Sequence, residues 1–107
     1  MDARDHRLLA VTAEAQARIS EAIQGMTQAE LAGTCFDQAG LRDGLTIVED
    51  FLRAGEFGVA FDHLLYMVVE TGVELSPDAR RFVEDTAAAC GLPAPRLAAT
   101  AITGPGS

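Results

Sequence analysis

Between Phe57 and Thr71 the chain carries a stretch in which Phe57, Val59, Ala60, Phe61, Leu64, Leu65, Met67, Val68 and Val69 point in nearly every direction around a helical wheel. Little polar surface is left, chiefly Asp62, His63, Tyr66 and Glu70. A helix of this kind has to be surrounded by others, so the rest of the chain must supply amphipathic helices to cover it. Residues 3–24 fit that role, because Leu8, Val11, Ala15, Ile19, Ala22 and Ile23 recur at helical spacing while Glu14, Arg18 and Glu21 fall elsewhere on the wheel. At 107 residues, 49% hydrophobic and 22% charged, the chain has the size and composition of a single globular domain with one core.

Local signals divide the remainder. Thr27 and Glu30 form a Thr-x-x-Glu capping box with Met26 placed to staple against Leu31, so a second helix begins at Gln28 and is expected to run to Ala39–Gly40. A third is expected from Arg42 to Ala54, with Leu41, Leu45, Val48 and Leu52 on one stripe and Gly55 ending it in the left-handed region. Gly72 closes the central helix. Ser76-Pro77-Asp78 then opens a fifth helix with a hydroxyl cap, a proline in the first turn and an acid at the positive end of the dipole. That helix is expected to end at Gly91. The expectation is an all-α, compact bundle of four to five helices over residues 1–92, followed by a flexible C-terminal segment over 93–107.

The charge excludes several functions. Sixteen acidic residues against eight basic ones give a net charge of -8, a surface that repels nucleic acid and anionic membranes and suits a partner with a basic surface. The longest apolar run near the N-terminus, Leu8 to Val11, is too short for a secretory or membrane segment, so a cytoplasmic protein is expected. Cys35 and Cys90 are then expected as buried free thiols. No two of His6, His63, Cys35 and Cys90 share a metal-ligand spacing, so no metal or other cofactor is expected. Ser20 falls within a helix, Ser76 reads as a cap, and the chain has no Gly-rich phosphate loop; no catalytic residue is expected and the chain does not read as an enzyme. A DNA-reading fifth helix is disfavoured, because Arg80 and Arg81 are outweighed by Asp78, Glu84 and Asp85.

What remains is the distribution of acid. From Glu49 to Asp85 there are nine carboxylates and three arginines, an excess of six. Asp62, Tyr66 and Glu70 stand at i, i+4 and i+8 on the central helix and so form one narrow stripe with His63 beside it. The stripe is either the solvated edge of a core helix or a Tyr-centred contact surface. On the second reading, Glu49, Asp50, Glu56, Asp62, Tyr66, Glu70 and Glu74 are the expected partner-binding residues.

The segment Ala54-Gly55-Glu56-Phe57-Gly58-Val59-Ala60-Phe61-Asp62-His63-Leu64-Leu65, followed by Val73-Glu74-Leu75-Ser76, resembles the MafI family of bacterial immunity proteins. In that family a Gly-Glu-aromatic-Gly-aliphatic-Ala stretch opens the central helix and an aliphatic-x-aliphatic-Ser turn opens the next. The resemblance spans about Leu45 to Leu92 and implies a small helical protein that binds and neutralises a cognate polymorphic toxin. Many such toxins are nucleases, whose basic substrate cleft an acidic protein can cover. The alternative is an acidic helical adaptor or regulatory subunit that binds a cellular protein unconnected with a toxin.

Overall fold

The computed structural model describes residues 1–33 and 40–97. Among them are five helices and no strand: α1 (Ala3–Gln24), α2 (Gln28–Ala32), α3 (Gly44–Arg53), α4 (Phe57–Thr71) and α5 (Pro77–Ala89). The chain is all-α, as expected. α1 starts at Asp2 because that side chain accepts the Asp5 N–H at 2.9 Å while the Asp5 carboxylate accepts the Asp2 N–H at 3.1 Å, a reciprocal capping box built from two aspartates. The Asp5 amide, aided by the charge of Arg4, holds the Asp2 carboxyl below the usual carboxylate range. α1 buries Leu8, Val11, Ala15 and Ile19 along the expected stripe, together with Thr12. Thr12 tolerates burial because its hydroxyl donates to the Leu8 carbonyl at 2.7 Å.

α2 is shorter than expected. Its start is as read, with Thr27 Oγ1 accepting the Glu30 N–H at 3.1 Å, but it stops at Ala32, where the Gly33 amide turns back to Glu30 and Leu31. The expected continuation to Ala39, with Cys35 inside it, lies outside the described residues. α3 begins at Gly44 and not at Arg42, for two physical reasons. Its cap residue Asp43 makes no side-chain cap bond, and the Leu45 N–H is taken instead by Gln16 Oε1 of α1 at 3.3 Å. Gly44 itself lies so close to α4 that a Cβ there would overlap the sulfur and methyl of buried Met67. Leu41, expected on the apolar stripe of this helix, is fully buried in the segment preceding it, where its carbonyl accepts from Gln16 Nε2 at 3.0 Å.

α4 packs most closely on α3, and α1 packs on both. Its inner face buries Ala60, Phe61, Leu64, Met67 and Val68 in the common core, whereas Phe57 and Leu65 are half-buried and pack against that core. The helix is not enclosed on all sides, as its composition suggested: Val59 is 43% and Val69 44% exposed. Among the described residues the covering helices leave Val59 and Val69 exposed on one side of α4.

α5 buries Ala79, Phe82, Val83 and Ala87 in the same core, and Arg7 of α1 lies with its guanidinium 5.2 Å from the Phe82 ring centroid. Its N-terminus is held by α1 through a clamp. The Glu14 carboxylate accepts the Ser76 N–H at 2.6 Å and the Ser76 hydroxyl at 2.8 Å, while Ser76 Oγ accepts the Ala79 N–H at 3.3 Å. Beyond α5, residues 92–97 run without regular helix and Leu97 packs against the core; the rest of the expected C-terminal segment lies outside the described residues.

Truncating the core face of α4 should therefore be costly. Phe61→Ala should destabilise by about 3–5 kcal/mol and Leu64→Ala by about 2–5 kcal/mol in urea unfolding, a large share of a domain's usual 5–15 kcal/mol. Melting of both variants within a degree of the parent would remove α4 from the centre of the fold. Glu14→Ala should cost about 1–3 kcal/mol, since it strands a backbone N–H and a hydroxyl in a half-buried site. In a double-mutant cycle with Ser76→Ala the two losses should fall short of additive by about 0.5 kcal/mol or more; strict additivity would mean that the clamp carries no coupling energy.

Candidate functional site

The expected contact residues do not gather at one place. Glu49 is half-buried on α3 and lies 3.5 Å from Arg53 one turn on, so its charge is balanced on its own helix. Asp50 is exposed on the outer side of α3, and Glu74 is exposed between α4 and α5. On α4 the stripe is in place: Asp62 and Glu70 are exposed, with half-buried Tyr66 between them. Tyr66 lies against His63, ring centroids 5.6 Å apart and planes inclined by 49°. The His63 ring is fixed in turn by a 3.0 Å hydrogen bond between Nε2 and the Gly40 carbonyl oxygen. Val59 and Val69 share this outward side, so the stripe is acid interleaved with aliphatic surface.

Glu56 and Asp62 meet at a groove of about 310 Å³ between the start of α4 and the end of α5. Its apolar lining comes from Val59, Phe61 and Leu92, with Cys90 beside them. The rims are built by the same device on two helices. α3 ends with the Gly55 N–H bonded to the Leu52 carbonyl and the Glu56 N–H to the Phe51 carbonyl, at 3.0 and 2.9 Å, with Gly55 at φ 77°. α5 ends with the Gly91 N–H on Ala88 and the Leu92 N–H on Ala87, at 3.1 and 2.9 Å, with Gly91 at φ 73°. Each is a Schellman cap whose left-handed residue must be glycine to avoid strain, and the residue after that glycine is the rim residue, Glu56 on one side and Leu92 on the other.

Leu92 and Cys90 were not among the expected site residues. Cys90 was expected to be buried, but it is exposed, because as the terminal cap residue of α5 it lies past the last buried position, Ala87. Leu92 is 36% exposed even though the residue at this position of a Schellman cap ordinarily packs back on its own helix. The nearest sequence signal was Gly91-Leu92-Pro93, which marks the helix end without showing which way the leucine turns.

A second depression, of about 190 Å³, lies where Arg7 and Glu14 of α1 face Ser76 and Asp78 of α5. The Ser76 hydroxyl there donates to Glu14 and accepts from Ala79, which accounts for it as a structural cap. Among the described residues no group of three or more His, Cys, Asp or Glu side chains could hold a metal ion, and no helix is long and apolar enough to cross a membrane. Comparisons of the chain with protein-family models, with curated proteins and with solved structures find no match.

Proposed function

We propose that this protein is an immunity protein of the MafI type, which binds a cognate bacterial polymorphic toxin through the outer face of α4 and neutralises it without chemistry of its own. The observation that carries this reading is the composition of that face. Val59 and Val69 are exposed among Asp62, Tyr66 and Glu70, on the helix where the resemblance to immunity proteins also lies. Single exposed aliphatic residues are ordinary, but two of them on one helix face, with a half-buried tyrosine and a carboxylate between them, make a contact surface of mixed apolar and acidic character.

Charge supports the same partner class. α4 itself contains no arginine or lysine, and Asp62 and Glu70 are exposed on its outward side. Such a surface accelerates encounter with a basic toxin cleft and repels nucleic acid, the substrate that a nuclease toxin would otherwise hold. The adaptor reading uses the same face for a partner other than a toxin, and the identity of the neighbouring gene product separates the two.

The reading is tested by co-expressing the protein with the toxin domain encoded beside it, scoring growth and co-purification. Asp62→Lys with Val69→Lys places two like charges on the contact face. Binding should weaken by about 2–5 kcal/mol, while fold stability changes by about 0.5 kcal/mol or less because both positions are exposed. The association rate of the parent should fall as salt rises and the screening length shortens from about 8 Å at 0.15 M to about 3 Å at 1 M. Full protection by the folded double variant would exclude the outer face of α4 as the toxin-binding surface.

A further inference from the structure

We propose that the groove between the start of α4 and the end of α5 is a socket for one arginine side chain of the basic partner. This inference rests on the reading of α4 as a partner-binding helix and names the chemistry it recognises.

The groove has two kinds of wall. Val59, Phe61 and Leu92 give it an apolar lining, and Glu56 and Asp62, both exposed, bring carboxylates to the same opening. No basic residue lines it among the described residues. A purely aliphatic occupant would have to strip water from two carboxylates without replacing it, and a small cation would leave the apolar lining wet. A side chain with an apolar stem and a cationic head satisfies both walls. Guanidinium suits this opening better than ammonium, because it is more weakly hydrated, is planar and offers several N–H donors to two carboxylates. The end of α5 adds to the preference, since the negative end of its dipole lies at Cys90 and favours a cation there; at the start of α4 the opposite dipole is offset by the Glu56 carboxylate. The chain contains an internal example of the same chemistry, with the Arg4 guanidinium 3.7 Å from the centroid of the Phe57 ring, one residue from Glu56.

The groove volume of about 310 Å³ is at the lower end for a ligand site and is enough for one long side chain. Gly58, in the first turn of α4, gives direct access to a test, because a Cβ built there meets no atom within 4 Å. A larger side chain at Gly58 therefore projects into open space at the groove without disturbing the core.

The test is a titration of the ¹⁵N-labelled full-length chain with N-acetyl-arginine amide, with the lysine, leucine and glutamate amides as comparisons. Arginine amide should shift the backbone resonances of Gly58, Val59, Asp62, Gly91 and Leu92 with half-saturation at about 1–10 mM, as a ligand of this size allows. Lysine amide should bind about threefold more weakly, with the leucine and glutamate amides weaker still. Gly58→Leu should abolish the shifts without lowering the melting temperature, and Asp62→Asn should weaken them about tenfold. The proposal is overturned if arginine shifts Asp50 and Glu74 as strongly as the groove, if lysine or leucine matches it, or if Gly58→Leu leaves the titration unchanged. Because the probe is a single amino-acid derivative, this result is separable from toxin neutralisation: protection that survives Gly58→Leu sinks the socket alone, and failure of the parent chain to protect, with its arginine titration as expected, sinks only the toxin assignment.

Discussion

The geometry of the outer surface depends on where α5 is held, and a carboxylate on α1 does much of the holding. α5 is short, and its closest backbone neighbours are fewer than those joining α1, α3 and α4. An isolated helix of this length is marginal in water, so its position must come from burial of Ala79, Phe82, Val83 and Ala87 and from the Glu14 clamp on Ser76. Burial is non-directional, whereas the clamp places two hydrogen bonds at one end of the helix and so fixes where that end lies. The far end of α5 supplies Cys90 and Leu92 to the groove. Those residues lie at the end of α5 away from the clamp, where burial of Val83 and Ala87 in the core holds the helix.

The same helix fixes α3 by the same means. Gln16 lies two residues from Glu14, and its amide bridges the Leu41 carbonyl and the Leu45 N–H, serving as the N-terminal cap that Asp43 does not supply. Helix starts leave several N–H groups without intrahelical partners, and meeting that need from another helix ties local structure to tertiary structure. The starts of α3 and α5 thereby gain these partners only once α1 is in place, the behaviour of a cooperative single domain. His63, bonded to the Gly40 carbonyl, secures the segment before α3 from the α4 side.

This division explains what could be read from the residues alone. α1 and α4 have the expected bounds, because their signals are local: apolar periodicity and, for α4, the glycine at its end. Ser76-Pro77 opened α5 for the same reason. The start of α3 was displaced because its cap comes from Gln16, 29 residues before Leu45, and the Glu14 clamp spans 62 residues to Ser76. Neither pairing leaves a local spacing to find. The close approach of Gly44 to Met67 is similarly a relation between helices, which no spacing around the glycine marks. For the site, Asp62, Tyr66 and Glu70 followed from helical spacing on one element. The groove did not, because Glu56 and Leu92 are brought to it by the ends of two different helices.

The combination of acid and exposed aliphatic surface on α4 also bears on selectivity. Of the nine carboxylates between Glu49 and Asp85, three face an arginine on the same helix: Glu49 with Arg53, Glu84 with Arg80 and Asp85 with Arg81, at 3.5, 3.5 and 4.0 Å. Such exposed pairs contribute only about 0.3–0.5 kcal/mol each, so their main effect is to balance charge on α3 and α5. α4 has no arginine with which to do the same. Exposed valines without neighbouring charge would adhere to any apolar surface, but here a neutral partner would have to desolvate carboxylates without compensation. A basic partner replaces that lost hydration with charge-assisted hydrogen bonds. On the proposed reading of α4 as a partner-binding helix, its acid penalises incorrect partners more than it strengthens the correct one, and the aliphatic surface would provide affinity once charge has selected the partner.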